Sequence, residues 1–79
     1  MRYVYILESL TETGRFYVGV TGDLRARLKA HNGGAVSHTS KFTPWRIKTY
    51  VAFSDEHQAF QFERYLKSGS GKAFARKRL

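Results

Sequence analysis

Tyr3-Val4-Tyr5-Ile6-Leu7 and Phe16-Tyr17-Val18-Gly19-Val20, separated by Thr11-Glu12-Thr13-Gly14, are the stretches whose reading decides the fold. Both runs are β-branched and aromatic, which suits a pleated backbone, and the segment between them carries turn chemistry. An antiparallel hairpin is predicted. Beyond it, Thr21-Gly22-Asp23 offers a helix N-cap, Leu24 and Leu28 stack one turn apart, and Asn32-Gly33-Gly34 is a stop signal. A helix is therefore expected over 24–32. From Gly33 to Thr43 the chain is mostly Gly, Ser and Thr without a period, as in a mobile surface loop closed by Pro44.

Trp45 to Phe53 then alternates, with Trp45, Ile47, Thr49, Val51 and Phe53 on one face and Arg46, Lys48 and Tyr50 on the other. This is a third, half-buried strand. Ser54 and Asp55 can cap a second helix, whose Ala59, Phe62 and Leu66 form one stripe widened by Phe60. Ser68-Gly69-Ser70-Gly71 reads as a helix-to-helix connection, and the basic tail from Lys72 to Leu79 as a short helix anchored by Phe74 and Leu79. The expected fold class is α+β: a small three-stranded antiparallel or mixed sheet flanked by helices, in the order ββαβαα. Residues 1–79 are enough for one domain with a modest core.

Fourteen Lys and Arg against six Asp and Glu give a formal charge of +8, a field that favours polyanionic partners. An anionic membrane is a poorer match. No apolar run approaches the ~20 residues of a spanning helix, and the basic residues are spread over several segments. The absence of cysteine excludes disulfides, thiolate zinc sites and thiol nucleophiles. The N-terminal apolar stretch is too short for a signal peptide, so the cytoplasm is the expected location. His31, His38 and His57 lack zinc spacing, and Gly69-Ser70-Gly71-Lys72 fails as a phosphate loop because Ala73 stands where Ser or Thr is needed.

Tyr3-Val4-Tyr5 and Tyr17-Val18-Gly19 resemble the two half-motifs that name the GIY-YIG nucleases, with Tyr3 in place of the first glycine. The resemblance continues along the chain. Arg27 stands ten positions beyond Tyr17, where that family carries an arginine on a helix, and His31 follows where members often have His or Tyr. Glu63, preceded by Ala59, Phe60 and Phe62, matches the family's metal-holding glutamate. Leu66 to Lys72 looks like the ending of short stand-alone bacterial members, similar to the N-terminal nuclease domain of the excinuclease incision subunit. Val20 departs from relatives that place a lysine there. The resemblance implies a DNA endonuclease with one divalent metal, Mg2+ or Mn2+, and Tyr5, Tyr17, Arg27, His31 and Glu63 as its catalytic set.

The chemistry can be argued from the residues themselves. Phosphodiester hydrolysis needs a base for water, positive charge for the transition state and stabilisation of the leaving oxygen. The six carboxylates are scattered, which disfavours a two-metal site and leaves one Mg2+ on a single carboxylate completed by water. Glu63 borders the apolar stripe of its helix, a costly place for an unpaired charge; the alternative is an ion pair with Lys67 at i+4. Tyrosine titrates near ~10, so a phenolate needs a nearby cation, and Arg27 or a metal could serve. Tyr5 is the expected base and Tyr17 its hydrogen-bonding partner, although both could simply pack on the sheet. Arg27 would fork onto phosphate oxygens or else share a solvated helix face with Arg25 and Lys29. His31, one turn on, would position the phosphate, protonate the leaving group, or serve structure alone.

Lys41, Arg46, Lys48, Lys67 and Lys72 are the candidate nucleic-acid contacts, with Trp45 and Tyr50 near some of them. No helix is rich in residues suited to base edges, so DNA would be recognised by backbone or structure, with a protein partner as a candidate source of specificity. A monomer is favoured. The rival readings are a nucleic-acid-binding module of the same fold that cleaves nothing, and a basic interaction or ribosome-associated protein.

Overall fold

A computed structural model describes residues 1–79. β1 (Arg2–Ser9) and β2 (Phe16–Thr21) pair antiparallel with Tyr5 opposite Gly19, and β3 (Trp45–Phe53) pairs antiparallel along the other side of β1. The strand order β2-β1-β3 puts β1 at the centre, so its side chains alternate between two buried faces. Val4 and Ile6 enter one apolar cluster with Ala59 and Leu66; Tyr5 and Leu7 enter the other with Trp45. No helix is long and apolar enough to cross a membrane.

α1 (Leu24–Asn32) begins where Asp23 accepts a hydrogen bond from the Ala26 N–H at 3.0 Å, and its Leu24 and Leu28 cover the Tyr5–Leu7–Trp45 face. α2 (Glu56–Lys67), capped by Asp55, and α3 (Gly69–Arg78) cover the opposite face. The α+β order ββαβαα therefore stands, with an additional 3-10 turn at Ser40–Phe42.

Four details differ from the sequence reading. β3 does not keep one face throughout. Leu7 pairs with Ile47 and Ile6 with Thr49, which leaves Lys48 as an extra residue; this bulge switches the inward side, so Trp45 and Ile47 pack on the α1 face and Phe53 on the α2 face. Phe60 points to solvent instead of widening the α2 stripe. The helix-to-helix connection shrinks to Ser68, whose hydroxyl accepts from the Gly71 N–H at 3.2 Å, so Gly69 to Gly71 form the first turn of α3. A Cβ on Gly71 would lie 1.6 Å from the Tyr65 carbonyl oxygen, which explains a glycine inside a helical turn. Finally, the stretch after α1 is pinned: Asn32 donates to the Trp45 carbonyl at 3.0 Å and accepts its N–H at 2.6 Å, while Thr39 is buried.

Candidate active site

Tyr5 stands at the middle of the central strand and is 2% exposed. Its ring lies across the neighbouring strand at Gly19, where a Cβ would come within 2.3 Å of the phenol oxygen. Only glycine leaves that passage open. The phenol reaches α1, where Arg27 and His31, one turn apart, meet it together. Arg27 Nε–H donates to Tyr5 Oη at 3.4 Å, and Tyr5 Oη lies 2.9 Å from His31 Nε2.

Donor and acceptor roles along this chain follow from its far end. Thr39 Oγ1–H donates to the Val36 carbonyl at 3.2 Å, so its oxygen accepts from His31 Nδ1–H at 2.8 Å. With Nδ1 protonated, Nε2 is the acceptor, and the Tyr5 hydroxyl donates to it. A continuous relay thus runs Arg27, Tyr5, His31, Thr39, Val36. Trp45 secures it by donating its indole N–H to the Thr39 carbonyl at 2.8 Å. No buried side-chain polar atom lacks a partner.

The electrostatics of the relay follow from its burial. Burial raises the Tyr5 phenol above its usual range, and Arg27, which pulls the other way by hydrogen bond and charge, does not overcome it. Burial, with the Arg27 charge second, lowers His31 below its ordinary value and favours the neutral ring the relay requires. The hydrogen bond to Tyr5 holds the Arg27 guanidinium more firmly charged. His31 is wholly buried, and its ring presents no surface to a ligand.

Tyr17, on the edge strand β2, is half-buried beside this relay, its ring 4.9 Å from that of His31 and 6.5 Å from that of Tyr5. Glu63 comes from α2, on the other face of the sheet. Its carboxylate pairs with Lys67, whose Nζ is 2.6 Å from Glu63 Oε2 and 6.0 Å from the Tyr17 ring centre. The i+4 ion pair is therefore present. Tyr5 meets Arg27 and His31, and Tyr17 packs against His31, while Glu63 lines a separate shallow hollow with His57, Phe60, Gln61 and Arg64.

No three His, Asp or Glu residues cluster. A divalent metal would have to take a carboxylate from an existing partner: Asp23 and Asp55 cap helices, and Glu8, Glu12, Glu56 and Glu63 pair with Arg46, Arg15, Arg2 and Lys67. Glu63 has the least exposed side chain of the paired glutamates, at 15%. A lone hard oxygen donor suits a hydrated cation of the Mg2+ type, which would have to displace Lys67 from Glu63.

Of the expected nucleic-acid contacts, Lys41 is exposed on the 3-10 turn, Arg46 pairs with Glu8, Lys48 reaches the Leu79 carbonyl oxygen at 2.5 Å, and Lys67 and Lys72 line a second, larger groove. Trp45 offers no surface to a ligand, being buried. The sequence reading missed Thr39, which carries no motif; its only trace is its nearness to Trp45 in the chain.

A three-stranded antiparallel sheet with a tyrosine, arginine and histidine relay under one helix makes this a small α+β domain. Residues 1–78 match the family described as the GIY-YIG catalytic domain, and the chain belongs to that family. It is 38% identical over 66 residues to a UPF0213 protein of Lacticaseibacillus paracasei, covering 82% of this chain and 72% of that one. It is 39% identical over 67 residues to the structure-specific endonuclease subunit SLX1 of Scheffersomyces stipitis, covering 76% of this chain but 20% of that protein. The solution structure of a UPF0213 protein from Bacillus halodurans superposes with a TM-score of 0.58 at 32% identity, covering 98% of this chain and 84% of that one.

Proposed function

We propose that this chain is a metal-dependent DNA endonuclease that hydrolyses phosphodiester bonds at the Tyr5–Tyr17–Arg27–Glu63 site. The observation that carries the reading is Arg27, held by a buried phenol beside a second, accessible phenol. Tyr5 has both hydrogen-bonding directions occupied and is sealed from solvent, so it acts by positioning Arg27. That leaves Tyr17 as the phenol that meets the attacking water, reversing the order expected from sequence. Arg27, held at Tyr5, and Lys67, 6.0 Å from the Tyr17 ring centre, would neutralise a phosphate as negative charge grows on it. Glu63 would hold Mg2+ or Mn2+, which supplies a Lewis acid and a more acidic bound water. The name of the SLX1 relative, a structure-specific endonuclease subunit, supports the nuclease reading, and this chain spans a fifth of that protein.

The Glu63–Lys67 ion pair favours one alternative, a binding module that cleaves nothing. A nicking assay on plain and branched duplexes separates the two. Cleavage that needs Mg2+ and disappears in Glu63→Gln supports the nuclease. Salt-sensitive binding without cleavage supports the module, and cleavage surviving Glu63→Gln contradicts the assigned site.

A further inference from the structure

On the α2–α3 side of the sheet a groove of about 870 Å³ begins at Tyr17 and Lys67 and runs between the hairpin turn and α3. Its floor is Ile6 and Val18, and its walls carry Arg15, Lys48, Lys67, Lys72 and Arg76 with no carboxylate among them. Glu12 pairs with Arg15, Glu63 with Lys67, and Lys48 donates to the Leu79 carbonyl, while Lys72 and Arg76 have no acidic partner. Phe16 stands in this cationic wall 48% exposed, with the Lys48 ammonium 5.8 Å from its ring centre.

We infer that this groove holds a single-stranded DNA arm leading away from the scissile bond; the inference rests on the nuclease reading and specifies its substrate. The cations answer a phosphate backbone, but charge alone would serve a duplex equally well. The distinguishing features are the apolar floor and the bare Phe16 ring. A duplex keeps the faces of its bases stacked inside and presents nothing to either, whereas unpaired bases offer a π-face to an aromatic platform beside a basic track. Tyr17 and Lys67 belong both to the groove and to the site, so a strand lying in the groove brings one of its phosphates to Arg27. The preferred DNA is thus one with a single-stranded arm at a junction, bound without regard to base identity.

The test is fluorescence anisotropy of the full chain in EDTA, with a labelled single-stranded oligonucleotide, the matching duplex, and a duplex bearing a single-stranded arm. The arm-bearing and single-stranded probes are expected to bind more tightly than the duplex. Phe16→Ala weakens them by about 5-fold to 100-fold, the scale of one stacked base, and leaves duplex binding unchanged. Phe16→Trp, which keeps a platform, retains affinity, and its emission falls when the strand binds. Lys72→Ala with Arg76→Ala weakens all probes and lowers the salt dependence. Tighter binding of the duplex, or Phe16→Ala indistinguishable from wild type while folded by circular dichroism, overturns the inference. So does an acidic peptide that binds as tightly as the single strand. Because EDTA removes cleavage from the readout, a strand-binding chain that never cuts refutes the nuclease reading alone, and a cutting chain without strand preference refutes the groove alone.

Discussion

Thr39→Val keeps the shape of a buried side chain while removing the acceptor for His31 Nδ1–H, and its consequences can be worked through the relay. If His31 keeps its proton on Nδ1, that buried donor loses its partner. If the proton moves to Nε2, the ring donates to Tyr5, which already accepts from Arg27, and the Tyr5 hydroxyl proton then has no acceptor. Either way one buried donor goes unpaired, at a cost of about 1–3 kcal/mol. The Val36 carbonyl is spared because the backbone N–H groups of Thr39 and Ser40 also reach it, each at 3.1 Å. For a domain of this size the cost lowers the melting temperature by about 4–20 °C. Circular dichroism melting reads the stability, and ¹⁵N resonances of the His31 ring read which nitrogen carries the proton. Thr39→Ser should restore both. A Thr39→Val protein with unchanged melting and an unchanged His31 tautomer would refute the relay.

Gly19→Ala forces a methyl into the Tyr5 phenol, 2.3 Å from its oxygen and 2.5 Å from Cζ, so a loss of about 1–3 kcal/mol by denaturant titration is expected together with loss of cleavage. Glu63→Gln breaks a surface ion pair worth about 0–1 kcal/mol, so it should melt close to wild type while its cleavage no longer responds to Mg2+. Stability should also follow the two shifted groups on the relay. His31 is lowered in the fold, so the unfolded chain takes up its proton first and stability falls as pH drops below about 6.5. Tyr5 is raised, so the unfolded chain loses its proton first and stability falls as pH climbs above about 10. Denaturation midpoints across pH should therefore form a plateau between those limits, and His31→Gln should flatten its acid side.

The hairpin, α1 and β3 were legible because their signals are local: β-branched runs, the Asp23 cap, and strict alternation from Trp45 to Phe53. The bulge at Lys48 was not, since it changes which face is buried without breaking the alternation; it exists only in the pairing with Ile6 and Leu7. Likewise, Gly69 to Gly71 read as a connection because glycine is a poor helix former, and only the approach of α3 to the Tyr65 carbonyl shows what the glycine admits. Tyr5, Arg27 and His31 were legible as a candidate set through spacing and resemblance, and the structure places them in hydrogen-bonding contact. Their division of labour was hidden, because burial and hydrogen-bond direction depend on Thr39 and Gly19, which approach from separate segments.

The rate of a single turnover on a branched duplex in Mg2+, for wild type against Arg27→Ala, tests the catalytic assignment most directly. Loss of a preorganised cation at the phosphate predicts a fall of about 100-fold or more, with binding affected far less. Equal rates from the two proteins would contradict it.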